Sequence, residues 1–183
     1  MSIEQSAAVS NYNGHGSDKE IKGNTAQFLT FAVEGAEYGV DIMKVREIKG
    51  WEETTRIPNS PEYMRGVINL RGVVIPIFDL RTRFSMGRTE ATEKHVVIII
   101  AIGSKTIGIL VDAVSDILTV GSDEIKPAPS TSEIDIDEAY LEGLISIDKK
   151  MVVLLDVEHL FSAETLAEAE KAAAKNKKGD KQN

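Results

Sequence analysis

The chain has no cysteine, three histidines, five prolines, and only one tryptophan, four tyrosines and five phenylalanines in 183 residues. The missing cysteines exclude disulfides, thiolate nucleophiles and cysteine-ligated zinc. With so few aromatic rings, base-stacking platforms for single-stranded nucleic acid are not expected. Basic residues number 21 against 29 acidic ones, for a net charge of −8. Nucleic-acid affinity comes mainly from Lys and Arg neutralising phosphates, so no nucleic-acid partner is expected. The longest apolar run, Val96–Ile102, spans 7 residues, against roughly 20 for a membrane-crossing helix. Met1–Ser10 lacks the basic and apolar regions of a secretory signal. The expected location is the cytoplasm, without direct membrane insertion.

What is present is β-strand pattern. Short runs rich in β-branched residues alternate with turn residues at Gln27–Val33, Glu37–Asp41, Lys44–Trp51, Gly66–Leu70 and Val73–Phe78. They continue at His95–Ile102, Thr106–Val111, Ala113–Val120, Leu141–Ile147 and Met151–Leu155. Ten strands at this spacing predict a sandwich or small barrels. Residues 1–24, rich in Ser, Asn, Gly and charge, read as a flexible tail. Residues 25–162 form the folded body, and 163–183 an Ala/Glu/Lys-rich helix and tail in which only Leu166 can pack strongly, so this helix is expected to protrude or fray.

The chain also resembles itself. Tyr38-Gly39-Val40, Val45, Glu47 and Ile48 align with Ile107-Gly108-Ile109, Val114, Asp116 and Ile117 at an offset of 69 residues. Gly66-Val67-Ile68-Asn69-Leu70 and Asp79-Leu80 align with Gly143-Leu144-Ile145-Ser146-Ile147 and Asp156-Val157 at an offset of 77. The extra length falls in a Pro- and Ser-bearing loop between Gly121 and Tyr140. Two five-strand units, each closing as a small barrel, are therefore expected, with a seam between them as a natural binding place.

Reactive constellations are scarce. His15, His95 and His159 lie apart from one another and from acidic clusters, without metal-ligand spacing. Asp135, Asp137 and Glu138 lack the glycine and distal glutamate of a calcium loop. Gly103-Ser104-Lys105 reads as a hairpin turn, and Asp79 and Asp156 as helix caps. No cofactor, metal or catalytic residue is expected. An enzyme or ligand carrier would need a deep polar pocket of converging titratable groups. Glu47 and Arg71 are candidates for an ion pair, and strand alternation predicts Val45 and Glu47 on one face and Ile48 on the other.

Several stretches are specific enough to name a family. Phe28-Leu29-Thr30-Phe31, Tyr38-Gly39-Val40-Asp41-Ile42, Arg56-Ile57-Pro58-Asn59-Ser60-Pro61 and the run from Gly66 through Arg71-Gly72 to Asp79-Leu80-Arg81 resemble the chemotaxis coupling family CheW. So do Gly108–Val114, Ile125–Pro129 and Tyr140–Leu144. The likeness covers about Ala26 to Phe161. It implies an all-β fold of two SH3-like five-stranded barrel subdomains packed together, with a C-terminal α-helix. It also implies a non-enzymatic adaptor between the cytoplasmic tips of methyl-accepting chemoreceptors and the regulatory domain of the histidine kinase CheA. Further CheW copies would join in rings, and the protein would be recruited to membrane-associated arrays. By resemblance, the receptor surface would use Val45, Glu47, Ile48, Gly66, Arg71, Val96, Val114 and Ile117. The kinase surface would use Ile42, Lys126 and Pro127.

Overall fold

The computed structural model describes residues 24–129, 138–168 and 170–171. His15, Asp135 and Asp137 lie outside these, as do residues 1–23 of the expected N-terminal tail and 169 and 172–183 of the expected C-terminal segment. Ten strands form, each within two residues of its expected ends: β1 (Thr25–Val33), β2 (Ala36–Asp41), β3 (Val45–Gly50), β4 (Met64–Leu70), β5 (Val73–Asp79), β6 (Val96–Ile102), β7 (Lys105–Val111), β8 (Ala113–Gly121), β9 (Leu141–Ile147) and β10 (Lys150–Leu155). Two short helices, α1 (Leu80–Arg83) and α2 (Val157–Leu160), follow β5 and β10.

The strands make two five-stranded sheets, ordered β8-β1-β2-β10-β9 and β3-β6-β7-β5-β4. Replacing each strand of one sheet by its repeat equivalent yields the other, so the internal duplication is a property of the fold. The boundary between the units is not the expected one. Each half of the chain lends its first hairpin to the other half's sheet: β1–β2 joins β8, β9 and β10, while β6–β7 joins β3, β4 and β5. The cause lies in the connections. A single 3₁₀ turn, Ile42–Lys44, carries the chain from β2 to β3, and Asp112 alone separates β7 from β8. Connections this short pass the chain straight from one sheet into the next.

Each exchanged hairpin is stitched in by a parallel pair, Leu154 opposite Gly39 and Ile77 opposite Gly108. The glycine shared by the two repeats has a packing reason. A Cβ on Gly39 would sit 2.9 Å from Leu154 Cδ2, and one on Gly108 would sit 2.5 Å from Ile77 Cδ1. Each barrel closes through one bridge to a strand's outer edge, Thr55 to Val67 and Lys126 to Leu144. Reciprocal backbone bonds hold these bridges, at 2.9 Å in the first and 2.8 Å in the second.

Val96–Ile102 is continuously apolar because both faces of β6 are covered. Val97 and Ile99 fill one barrel with Ile68, Ile75, Ile77 and Leu110. Ile98, Ile100 and Ile102 turn the other way, into a larger core shared between the barrels with Leu29, Phe31, Ile107 and Ile109. Phe28, Val120, Ile145, Val152 and Leu154 fill the second barrel. The seam is thus mostly dry core. Its aromatic members meet in pairs, Tyr38 stacked on Phe84 at 5.3 Å and Phe78 tilted against Phe161 at 5.0 Å. Residues 163–168 are helical, and this helix does not protrude: Leu166 is buried in the shared core and Glu170 pairs with Lys105 at 3.1 Å.

Candidate partner-binding surface

β3 and β8 occupy equivalent outer positions, each paired on one side only, with β6 and with β1. Both carry a bulge at the same repeat position. Val45 and Glu47 oppose the adjacent residues Ile100 and Ile99, which leaves Arg46 as an extra residue. Likewise Val114 and Asp116 oppose Phe31 and Thr30, which leaves Ser115. The second bulge has a visible local cause. The buried Thr30 hydroxyl donates to Asp116 O at 3.1 Å and accepts from Asp116 N at 3.0 Å, satisfying the displaced backbone.

The bulges overturn the alternation expected from sequence. Residues directly opposite across a strand pair share a face. Ile48 faces Ile98 and Val45 faces Ile100, both in the shared core, while Glu47 faces Ile99 on the barrel side. By the same register Val114 and Ile117 face Phe31 and Leu29. Val45 and Ile48 therefore lie together, not apart, and their repeat partners match them. Val45, Val96 and Val114 are half-buried against the shared core. Ile48 and Ile117 stand outside it, 45% and 52% exposed. Each edge strand thus offers a strip of apolar surface rising from one common core.

A charged rim borders the first strip. Arg71 and Gly72 form the two-residue β4–β5 turn, both at positive φ (50° and 86°), with Asn69 Oδ1 accepting from Gly72 N at 2.8 Å. This turn aims Arg71 Nη2 at Glu47 Oε2, 2.6 Å away. That hydrogen bond holds the Glu47 carboxyl below its usual range and raises the Arg71 guanidinium. Arg71 is 73% exposed, so solvent screens the pair and it adds little to folding. Gly66 differs from the rest of its expected group. It is buried against Thr55 and presents no side chain to a partner.

The expected kinase-facing residues sit elsewhere. Ile42 lies in the turn between the sheets, half-buried on the shared core. Lys126 and Pro127 are exposed on the segment that closes the other barrel. Sequence reading missed Met43, beside Ile42, which is 76% exposed. Its signal was an apolar residue in a turn, fixed by Asp41 Oδ1 accepting from Met43 N at 2.9 Å. Near this turn, partial desolvation raises the carboxyl of the exposed Glu142, and Asp156, Asp41 and Glu158 add to the rise against the opposing Lys44. A raised folded pKa means that the ionised carboxylate costs stability at neutral pH, a cost that fades as pH falls through the carboxylate range. Glu142→Gln is therefore expected to raise the thermal midpoint at pH 7 and to leave it unchanged near pH 3, in paired melts.

The two aspartates expected to cap helices do so. Asp79 accepts from Arg81 N and Thr82 N, and Asp156 accepts from Glu158 N and His159 N. Among the described residues, no group of three His, Asp or Glu is placed to hold a metal ion, and no helix is long and apolar enough to cross a membrane.

Paired, closed five-stranded sheets with exchanged hairpins and one shared core define an all-β protein of twin SH3-like barrels. A family model for the CheW-like domain matches residues 27–165, and the chain belongs to that family. It is 45% identical over 151 residues to a probable chemotaxis protein CheW of Rhizobium etli, covering 82% of this chain and 96% of that protein. It is 43% identical over 141 residues to chemotaxis protein CheW of Klebsiella aerogenes, covering 77% and 84%. The crystal structure of the scaffolding protein TtCheW from Thermoanaerobacter tengcongensis superposes with a TM-score of 0.70 at 32% identity, covering 80% of this chain and 94% of that one.

Proposed function

We propose that the chain is a non-enzymatic chemotaxis scaffold that couples methyl-accepting chemoreceptors to the histidine kinase CheA. The observation that carries this reading is the pair of bulged edge strands holding Ile48 and Ile117 out of one shared core, with Arg71 and Glu47 on the rim. An apolar strip with a charged border suits an amphipathic helix, the form a receptor's cytoplasmic hairpin tip presents. Val45, Val96 and Val114 supply the floor of this receptor surface, and buried Gly66 keeps the neighbouring backbone in place. Ile42 and Met43 on one side, and Lys126 and Pro127 on the other, form two separate kinase contacts. Such interfaces bury about 800 Å² per partner or less, with affinities around micromolar, as a switchable assembly requires. The protein works in the cytoplasm and reaches the membrane-associated array through its partners, further copies of itself in the rings among them.

The test is co-sedimentation of the purified chain with receptor fragments and CheA, with kinase activity as a second readout. Ile48→Asp and Ile117→Asp place a charge on each strip without touching the core. Each is expected to weaken receptor binding roughly tenfold or more, with CheA binding unchanged and only a small fall in the unfolding midpoint. Undiminished co-sedimentation of the double variant would remove the strips from the receptor interface.

The rim has its own experiment. Arg71→Glu is expected to weaken receptor binding with the fold intact, and adding Glu47→Arg is expected not to restore it, because the partner still meets reversed charges. Full recovery in the swapped pair would show that the ion pair serves only to shape its own turn.

A further inference from the structure

Away from the apolar strips, three arginines from three successive segments line one pocket. Arg56 follows β3, Arg65 lies in β4, and Arg88 lies between α1 and β6. Together they line a pocket of about 370 Å³ whose floor includes Ile57 and Met64, both buried in the shared core. Glu62 is the one acidic residue in its wall. Arg65 is anchored from behind: its Nη1 donates to Thr89 O at 2.8 Å and lies 3.5 Å from Asp79 Oδ2, and its guanidinium stacks over Trp51 at 5.2 Å. Arg56 and Arg88 have no hydrogen-bond or ion-pair partner among the described residues.

Gathering three cations in a protein of net charge −8 is the reverse of what surface mixing would produce. Arg56 and Arg88 lie close enough to Arg65 to act against its charge. Burial, with Arg88 and Arg56 nearby, presses Arg65 below its usual range, against the opposing pull of Asp79. An anion seated between them counters that effect. Guanidinium is the side chain suited to this, since its planar fork matches the paired oxygens of a carboxylate or phosphate. The buried anchoring of Arg65 preorganises one fork, and the two unpartnered arginines supply the others.

We propose that the pocket of Arg56, Arg65 and Arg88 is an oxyanion site, taking a carboxylate or a phosphate group. The site is separate from the Ile48 and Ile117 strips, so its failure leaves the scaffold reading untouched. It is tested on the full chain by following the thermal midpoint and amide NMR shifts in two titrations at constant ionic strength. One adds inorganic phosphate in exchange for chloride, and the other adds a capped Glu-rich peptide with its Gln analogue as control. At least one titration is expected to be saturable, to move resonances at residues 56–65 and at Arg88, and to raise the midpoint beyond the matched chloride or Gln-peptide control. In Arg56→Gln/Arg88→Gln, which leaves Arg65 and its buried bonds in place, binding is expected to weaken roughly tenfold or more. Saturation by phosphate alone identifies a free or esterified phosphate as the ligand, and saturation by the Glu-rich peptide alone identifies a protein carboxylate. Identical responses of the native chain and the double variant to both probes overturn the proposal.

Discussion

Gly66→Ala is expected to be the most damaging single-methyl change in the molecule, destabilising it by about 4 kcal/mol or more. Two effects add. Gly66 has φ 139°, a region closed to residues with a side chain, and its added Cβ would lie 2.3 Å from Thr55 O and 2.8 Å from Thr55 C. Both atoms are backbone, and Thr55 is held to Val67 by reciprocal bonds at 2.9 Å, so neither can yield without opening the barrel's closing bridge. Against a typical total of about 5–15 kcal/mol, that loss removes a large share of the margin. Other glycines set the scale. Gly108→Ala meets side-chain ends, Ile77 Cδ1 at 2.5 Å and Val97 Cγ1 at 2.9 Å, and is expected to cost about 1–3 kcal/mol by overpacking. Gly72→Ala has φ 86° but open space around it, so only the conformational cost of about 1 kcal/mol remains. Urea unfolding of the three variants checks the order, and a Gly66→Ala protein no less stable than Gly72→Ala would refute the account.

This ordering bears on partner binding. Gly66 falls among the residues that the family resemblance assigns to the receptor surface, yet it is buried and a methyl group there strikes backbone. On the function proposed above, a loss of receptor binding on its substitution is expected to come from the displaced closing bridge. On the same proposal, the exposed Ile48 and Ile117 are better positions for testing contact.

Much of the architecture was legible because it is written in local pattern. Ten alternating or β-branched runs marked the strands, and two offsets, 69 and 77 residues, reported the duplication with its longer second loop. The helix caps at Asp79 and Asp156 could be read from one residue type at a strand-to-helix junction. What stayed hidden was decided by pairing. β1 and β6 carry equivalent patterns, so nothing local says that each joins the other half's sheet. The bulges escape a period-two reading, which counts both residues of the polar pairs Arg46-Glu47 and Ser115-Asp116 as ordinary strand positions. One uncounted residue on each strand reverses the facing of all that follows, which is why Ile48 was expected opposite Val45 and is found beside it. Leu166 was hidden for a different reason. A lone leucine in an Ala/Glu-rich helix has no amphipathic stripe, and its burial depends on a pocket in the shared core that only the assembled fold provides.

Asp79 and Asp156, equivalent in the repeat, are expected to respond very differently to the same substitution. Asp79→Asn should cost about 3–5 kcal/mol, and Asp156→Asn about 1 kcal/mol. Both cap a short helix, but Asp79 is fully buried and does more. Besides Arg81 N at 3.1 Å and Thr82 N at 3.4 Å, it accepts from Thr89 N at 2.9 Å and Thr89 Oγ1 at 2.7 Å, with Arg65 Nη1 3.5 Å away. An amide keeps one acceptor oxygen and turns the other into a donor, so it must confront either the Thr89 amide and Arg65 or the helix cap. It also strips the nearly buried Arg65 of its counter-charge, and a charge left unpaired away from water is the costly outcome. Asp156 is partly open to solvent, with His159 Nδ1 at 2.6 Å as its main side-chain partner. Its burial raises the carboxyl, but the bonds from His159 and Glu158 outweigh this and hold it below the usual range. The stability it contributes is present at neutral pH and is lost as pH falls through that lowered value. Urea unfolding at pH 7 measures both variants against the native chain. Equal losses would mean that the Thr89–Asp79–Arg65 network contributes nothing beyond the cap, and that the two halves of the molecule are energetic as well as structural repeats.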